Sequence, residues 1–202
     1  MTEDNNLEII TKENSFWKLY KVCRKLKTSK DNLIVFVLSL LYFYTLNMYS
    51  FSSNNELISE ITLASTNLIS WSVSLIGFAL SGYAIFATLS EKKMQLRMAF
   101  VTDENNNISY LKSTHCTFMR IIIDMISIVL LTFLLTNKHL LEHISISIPD
   151  LESGLSITNA TLCLMLGWIQ SLLILEIMLA KSFVYNVYHS IMVSIRWAGT
   201  ES

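Results

Sequence analysis

The chain has 202 residues, of which 52% are hydrophobic and 15% charged, with one proline and a net charge of −1. An ordinary soluble domain carries about 25% charged residues, so this composition argues against one. Four apolar segments, residues 33–51, 63–89, 121–137 and 157–180, are hydrophobic around most of their circumference, which a soluble helical core does not require. About 20 residues suffice to cross the hydrocarbon core of a bilayer, and the first two segments hold 19 and 27 residues without a charge.

Taken in chain order, residues 1–32 form a polar N-terminal segment. Asn14 or Ser15 can cap a helix running from Phe16 to Leu26. At 100° per residue, Phe16, Leu19, Tyr20, Val22, Cys23 and Leu26 gather on one arc and Lys18, Lys21, Arg24 and Lys25 on the other. A basic amphipathic helix beside a span is expected in the membrane interface, held by anionic lipid. Docking of a soluble partner is the other reading of the same helix. Span 33–51 follows, and then a short external gap from Ser52 to Thr62.

Span 63–89 carries small residues at Ser70, Ser74, Gly77, Ser81, Ala84 and Thr88, in steps of four and three. Such a stripe permits close backbone approach between helices in lipid. It reads as packing inside one four-helix bundle, as a homo-oligomer seam (a tetramer, for instance), or as the wall of a pore. The helical pattern is expected to continue to Phe100. The turn-forming run Asp103 to Asn107 then leads through Ile108, Leu111, His115 and Phe118 into the third span. Residues 90–120 would thus form a cytoplasmic hairpin extending from helices two and three.

Asp124 and Glu176 are the acids at membrane depth, with Arg120 and Lys181 nearby. Structural ion pairing, including Arg120 to Asp124 at i, i+4, and a proton-, voltage- or ligand-sensitive switch are the two readings of these charges. The second external gap contains Ile144 to Pro149, whose alternation suits a short strand or an extended segment resting on the membrane surface. It also contains His139, Glu142 and His143, an H-x-x-E-H match. Without a third ligand or a cleft the bland reading, interfacial histidines, is the one adopted. No catalytic, cofactor or metal site is assigned, nor direct nucleic-acid binding. Residues 181–202 keep Val184, Val187, Tyr188, Ile191 and Ile195 at helical spacing, prolonging the fourth helix or packing on the hairpin.

Of the fifteen Lys and Arg residues, only Lys138 lies outside the N-terminal segment, the 90–120 loop and the region after the fourth span. Basic residues resist translocation, so both termini are expected in the cytoplasm. Cys23 and Cys116 then face a reducing compartment, Cys163 lies within a span, and no structural disulfide is expected. The expected fold is an all-α, four-transmembrane-helix bundle with an interfacial N-terminal helix.

The four-pass layout, the run from Ser74 to Thr88 and the following Glu91, Lys92 and Lys93 resemble small membrane proteins of bacterial defence loci, most of all the membrane subunits of the Kiwa anti-phage system. Four-pass accessory proteins of RNA-targeting CRISPR systems look superficially alike. The first resemblance implies an inner-membrane homo-oligomer that senses phage attack and works through a cytoplasmic DNA-binding partner. A channel that depolarises the cell is the alternative function.

Overall fold

The computed structural model describes residues 13–26, 29–51, 53–89, 92–103, 108–147 and 157–199. These form seven α-helices: α1 (Phe16–Cys23), α2 (Lys30–Ser50), α3 (Asn54–Leu89), α4 (Lys92–Phe100), α5 (Tyr110–Phe133), α6 (Lys138–Ser147) and α7 (Ile157–Gly199). A 3-10 turn, Leu134–Thr136, follows α5. Strands β1 (Thr102–Asp103) and β2 (Ile108–Ser109) pair antiparallel, Thr102 opposite Ser109 and Asp103 opposite Ile108. The expected turn residues 104–107 lie outside the described residues.

Four helical stretches are long and apolar enough to cross a membrane: Lys30–Ser50, Asn54–Thr88, Tyr110–Thr136 and Ile157–Arg196. That is the makeup of a multi-pass membrane protein. At about 1.5 Å per residue, α3 and α7 are each far longer than the ~30 Å hydrocarbon core, so parts of both must lie beyond it.

The chain divides into two compact units, and the divisions fall inside α3, α5 and α7. One unit holds residues 29–76 and 125–179 of those described. Its core is a buried face of α3 with Leu57, Ile61, Ser65, Leu68 and Ser72, and a face of α7 with Leu162, Cys163, Leu166, Ile169 and Leu172. The helix α3 begins at Asn54, nine residues before the apolar run. Leu57, Ile58 and Ile61 bury themselves while Glu56 stays exposed, so amphipathic packing extends the helix through most of the expected gap. By contrast, α2 buries little. Leu33, Val37, Leu38, Leu41 and Tyr42 are exposed, and Thr45 satisfies its hydroxyl on the Leu41 and Tyr42 carbonyls of its own helix. Contacts to α7 hold it. The Asn47 amide donates to Gln170 Oε1 at 3.1 Å and to the Cys163 carbonyl at 3.4 Å, and the Phe36 ring meets Trp168 edge-on at 5.3 Å. Gly167 lets the α2 backbone come close: a Cβ there would stand 3.1 Å from Tyr44 N.

Helix α6 replaces the strand expected at Ile144 to Pro149 as far as Ser147; Ile148 and Pro149 lie outside the described residues. Alternation compels a strand only where a neighbouring strand can pair with it. Here Asn137 Oδ1 accepts from Leu140 N, Lys138 pairs with Glu142, and Leu141 is fully buried, all of which favour a helix.

The other unit holds residues 13–26, 77–124 and 180–199 of those described. Its core is aromatic: Phe118 lies 5.0 Å from Phe86 and 5.4 Å from Phe183, ring centre to ring centre. Phe183 covers Gly82, where a Cβ would meet its ring at 2.8 Å. The stretch from the second span to Phe100 is described as two helices, α3 and α4, with residues 90 and 91 outside the described residues. Met94 and Met98 are buried and Gln95 Nε2 donates back to the Ala87 carbonyl at 3.4 Å. The apolar run stops at Leu89, and beyond it the sequence turns charged, so the spacing of the methionines decides the packing. The tail continues the fourth spanning helix, as one of the two sequence readings had it, with Val184, Tyr188, Ile191 and Ile195 exposed.

Candidate functional site

Lys112, Cys116, Arg120 and Asp124 recur every four residues along α5 and share one face of it. Each meets the N-terminal segment. Lys112 pairs with Glu13. Cys116 is buried in one cluster with Cys23 and Leu26. The Arg120 guanidinium donates to the Leu26 carbonyl, beyond the C-terminal end of α1, and Asp124 pairs with Arg24 at 3.6 Å and with Arg120 at 3.8 Å. The α1 helix itself is set by the expected cap: the Ser15 side chain accepts from Lys18 N. Arg24 also donates to the Tyr20 hydroxyl at 2.9 Å, and that bond holds its guanidinium above the ordinary range.

This arrangement bears on the expected lipid-facing helix. Part of the apolar arc of α1 is covered by the chain's own residues: Cys23 and Leu26 are buried, with Leu19, Val22, Ile108 and Met119 packed around them. What α1 leaves exposed is Phe16 and Trp17, in contact with Tyr20, and the lysines 18, 21 and 25. Arg24, exposed on the same basic face, is also a second cation on Asp124. The i, i+4 pair of Arg120 with Asp124 forms as its spacing suggested.

A cavity of about 320 Å³ lies in the same unit, with Glu13, Tyr83, Lys112, His115 and Cys116 among its walls. The Tyr83 hydroxyl and His115 Nδ1 are 3.0 Å apart there. Neither residue had been singled out as a site residue, and only the helical register of His115 and Phe118 hinted at this face.

Glu176, in the other unit, is fully buried, and neither carboxyl oxygen has a hydrogen-bond partner among the described residues. Ser72 lies beside it, but the Ser72 hydroxyl donates to the Leu68 carbonyl at 2.7 Å. The buried hydroxyls of Ser65 and Thr132 also lack partners among the described residues. A buried polar group without a partner costs about 1–3 kcal/mol. Glu176→Leu should therefore raise the unfolding midpoint of the detergent-solubilised protein by several degrees, at about 2–4 °C per kcal/mol for a chain of this size. A lower midpoint in a thermal scan would mean that the carboxyl has a stabilising partner.

The stripe of small residues is turned outward. Ser70, Ser74, Gly77, Ser81, Ala84 and Thr88 are all exposed, and apart from its own helix turn no described residue stands within 4 Å of where a Gly77 Cβ would be. The hydroxyls of Ser70, Ser74, Ser81 and Thr88 donate to the carbonyls of Thr66, Ser70, Gly77 and Ala84, each four residues back. The stripe is thus polar in composition yet has its hydroxyl donors satisfied internally, which suits contact with lipid or another helix. His139 is almost fully exposed, 3.5 Å from Glu142. Among the described residues no group of three or more His, Cys, Asp or Glu is placed to hold a metal ion.

No protein family, curated protein or solved structure matches this chain. The class that the fold defines is the multi-pass membrane protein, and everything narrower rests on the residues themselves.

Proposed function

We propose that this protein is a non-enzymatic inner-membrane sensor and scaffold of an anti-phage defence system, which self-associates through α3 and passes a membrane perturbation to a cytoplasmic partner that binds DNA. Both termini lie in the cytoplasm, on the strength of the one-sided lysines and arginines. The observation that carries the self-association is the outward stripe: six small residues in heptad spacing, exposed on the single chain, with their hydroxyls already bonded. Lipid-embedded helices associate through such close-packing faces. The exposed Val184, Tyr188, Ile191 and Ile195 on α7 offer the partner an apolar helix face. The defence role itself rests on the resemblance of span two and the four-pass layout. Anionic lipid would meet Lys18, Lys21 and Lys25 and the exposed Phe16 and Trp17, a smaller footprint than the whole of α1.

Leucine at both Gly77 and Ser81 tests the seam. The chain has room for these side chains at Gly77, so folding should be kept while the oligomer shrinks, read as mass in detergent. An oligomer of unchanged size would remove α3 from the interface. A pore-forming effector is the second reading, favoured by the buried Glu176 carboxyl at the level of the spans, which has no hydrogen-bond partner among the described residues. It requires the purified protein to conduct ions in liposomes, and a tight vesicle at high protein content would dismiss it.

A further inference from the structure

We propose that Cys23 and Cys116 are a redox-modification site, joined reversibly by a hydroperoxide into a disulfide that locks α1 onto α5. The two residues are far apart in sequence, at the end of α1 and near the start of α5, yet both are almost completely buried in the same small cluster. Their thiols are free and lie in that one cluster. The third cysteine, Cys163, belongs to the other unit and bonds Asn159 Oδ1 instead.

The surroundings suit the chemistry. The hydrogen bond from the Cys116 thiol draws the Cys23 thiol below its ordinary range, with the nearby Arg120 charge acting in the same direction, and a thiolate is the reactive form. Cys116 also forms part of the cavity wall, whose volume of about 320 Å³ is many times the ~30 Å³ of a water molecule. Hydrogen peroxide is little larger, so the cavity has room for it beside Cys116, the wall residue that shares a buried cluster with Cys23.

The Cys23 thiolate attacks one peroxide oxygen; the O–O bond breaks, and the departing hydroxide takes up a proton to become water, leaving a sulfenic acid on Cys23. The Cys116 sulfur then attacks the Cys23 sulfur, forming the S–S bond. The S–O bond breaks, and its oxygen leaves as water with the Cys116 proton. Two thiols lose two electrons and two protons, and one peroxide becomes two waters. A cellular dithiol reverses the reaction by exchange.

The link would add a covalent tie to the ladder already made by Glu13–Lys112, Arg120–Leu26 and Arg24–Asp124. Its consequence is a docked N-terminal helix under oxidation and a releasable one under reduction. It does not depend on the proposed relay, because it needs only the geometry of this unit.

The test uses the full-length protein in detergent, reduced, exposed to hydrogen peroxide, alkylated in denaturant and mapped by mass spectrometry. Wild type should yield a linked peptide pair containing Cys23 and Cys116 that disappears with dithiothreitol, while Cys163 stays alkylated. Cys163→Ser should behave the same, and Cys23→Ser should lose the link. Wild-type Cys23 and Cys116 both remaining fully alkylated, or linking elsewhere, overturns the site. Hydrogen exchange over residues 13–26 reads the lock: at least several-fold slower exchange is expected after oxidation. Exchange that stays unchanged or quickens once the link has formed overturns the locking role.

Discussion

Gly167→Leu should detach α2 from α7 and lower the unfolding midpoint in detergent by about 10 °C. Position 167 faces backbone, not a yielding side chain: an added Cβ would lie 3.1 Å from Tyr44 N, 3.4 Å from its Cα and 3.5 Å from the Phe43 carbonyl carbon. The remaining leucine atoms would have to occupy the space that the α2 main chain fills. Overpacking alone costs about 1–3 kcal/mol and sometimes more. Separating the helices also removes the Asn47 bonds to Gln170 and the Cys163 carbonyl and the Phe36–Trp168 ring contact. A total of about 3–5 kcal/mol follows, at roughly 1 kcal/mol for each lost hydrogen bond, and 2–4 °C per kcal/mol converts it to the shift stated. A Gly167→Leu midpoint equal to that of the wild type would refute the close approach.

Asp124→Arg should undock the N-terminal helix. Asp124 receives Arg24 at 3.6 Å and Arg120 at 3.8 Å, so reversing its charge sets three cations together. Arg120 is the most sensitive of them, being nearly buried and already committed to the Leu26 carbonyl. Arg24 is half exposed and contributes less because solvent screens it. Trypsin cleavage after Arg24 and Lys25 should become at least about tenfold faster, the equivalent of 1.4 kcal/mol in the docking equilibrium. Adding Arg24→Asp, with cleavage read after Lys25 alone in both variants because the Arg24 site is lost, should recover part of the protection, and the non-additivity measures the pair. Unaltered cleavage in the single variant would show that the ion pairs do not hold α1 in place.

How far the sequence carried the reading can be seen in particular residues. Four long apolar runs were enough to foresee four helices able to cross a membrane, because hydrocarbon leaves a backbone no alternative to satisfying itself. The Ser15 cap and the pair of Arg120 with Asp124 were legible for a similar reason: both are contacts between residues three or four apart. The start of α3 was not, since Asn54 to Thr62 is amphipathic and becomes helix only once Leu57, Ile58 and Ile61 find a surface to pack on. Nor was the strand pattern of Ile144 to Pro149 informative without a strand to pair with.

The candidate sites divide along the same line. The small residues of α3 and the depth of Glu176 were plain in the sequence, because both are properties of one helix. That the stripe faces outward, that Glu176 has no hydrogen-bond partner among the described residues, and that Cys23 meets Cys116 were not. The amphipathic N-terminal helix shows the difference most directly. Its two faces follow from a 100° turn per residue, but what covers the apolar face depends on the spacing of Lys112, Cys116, Arg120 and Asp124 nearly a hundred residues later. By itself the sequence determined the membrane class and the number of long apolar helices, both set by local transfer and hydrogen-bonding energies. Only the tertiary structure decided which faces those helices use on one another, because packing and ion pairing are settled between segments that sequence distance keeps apart.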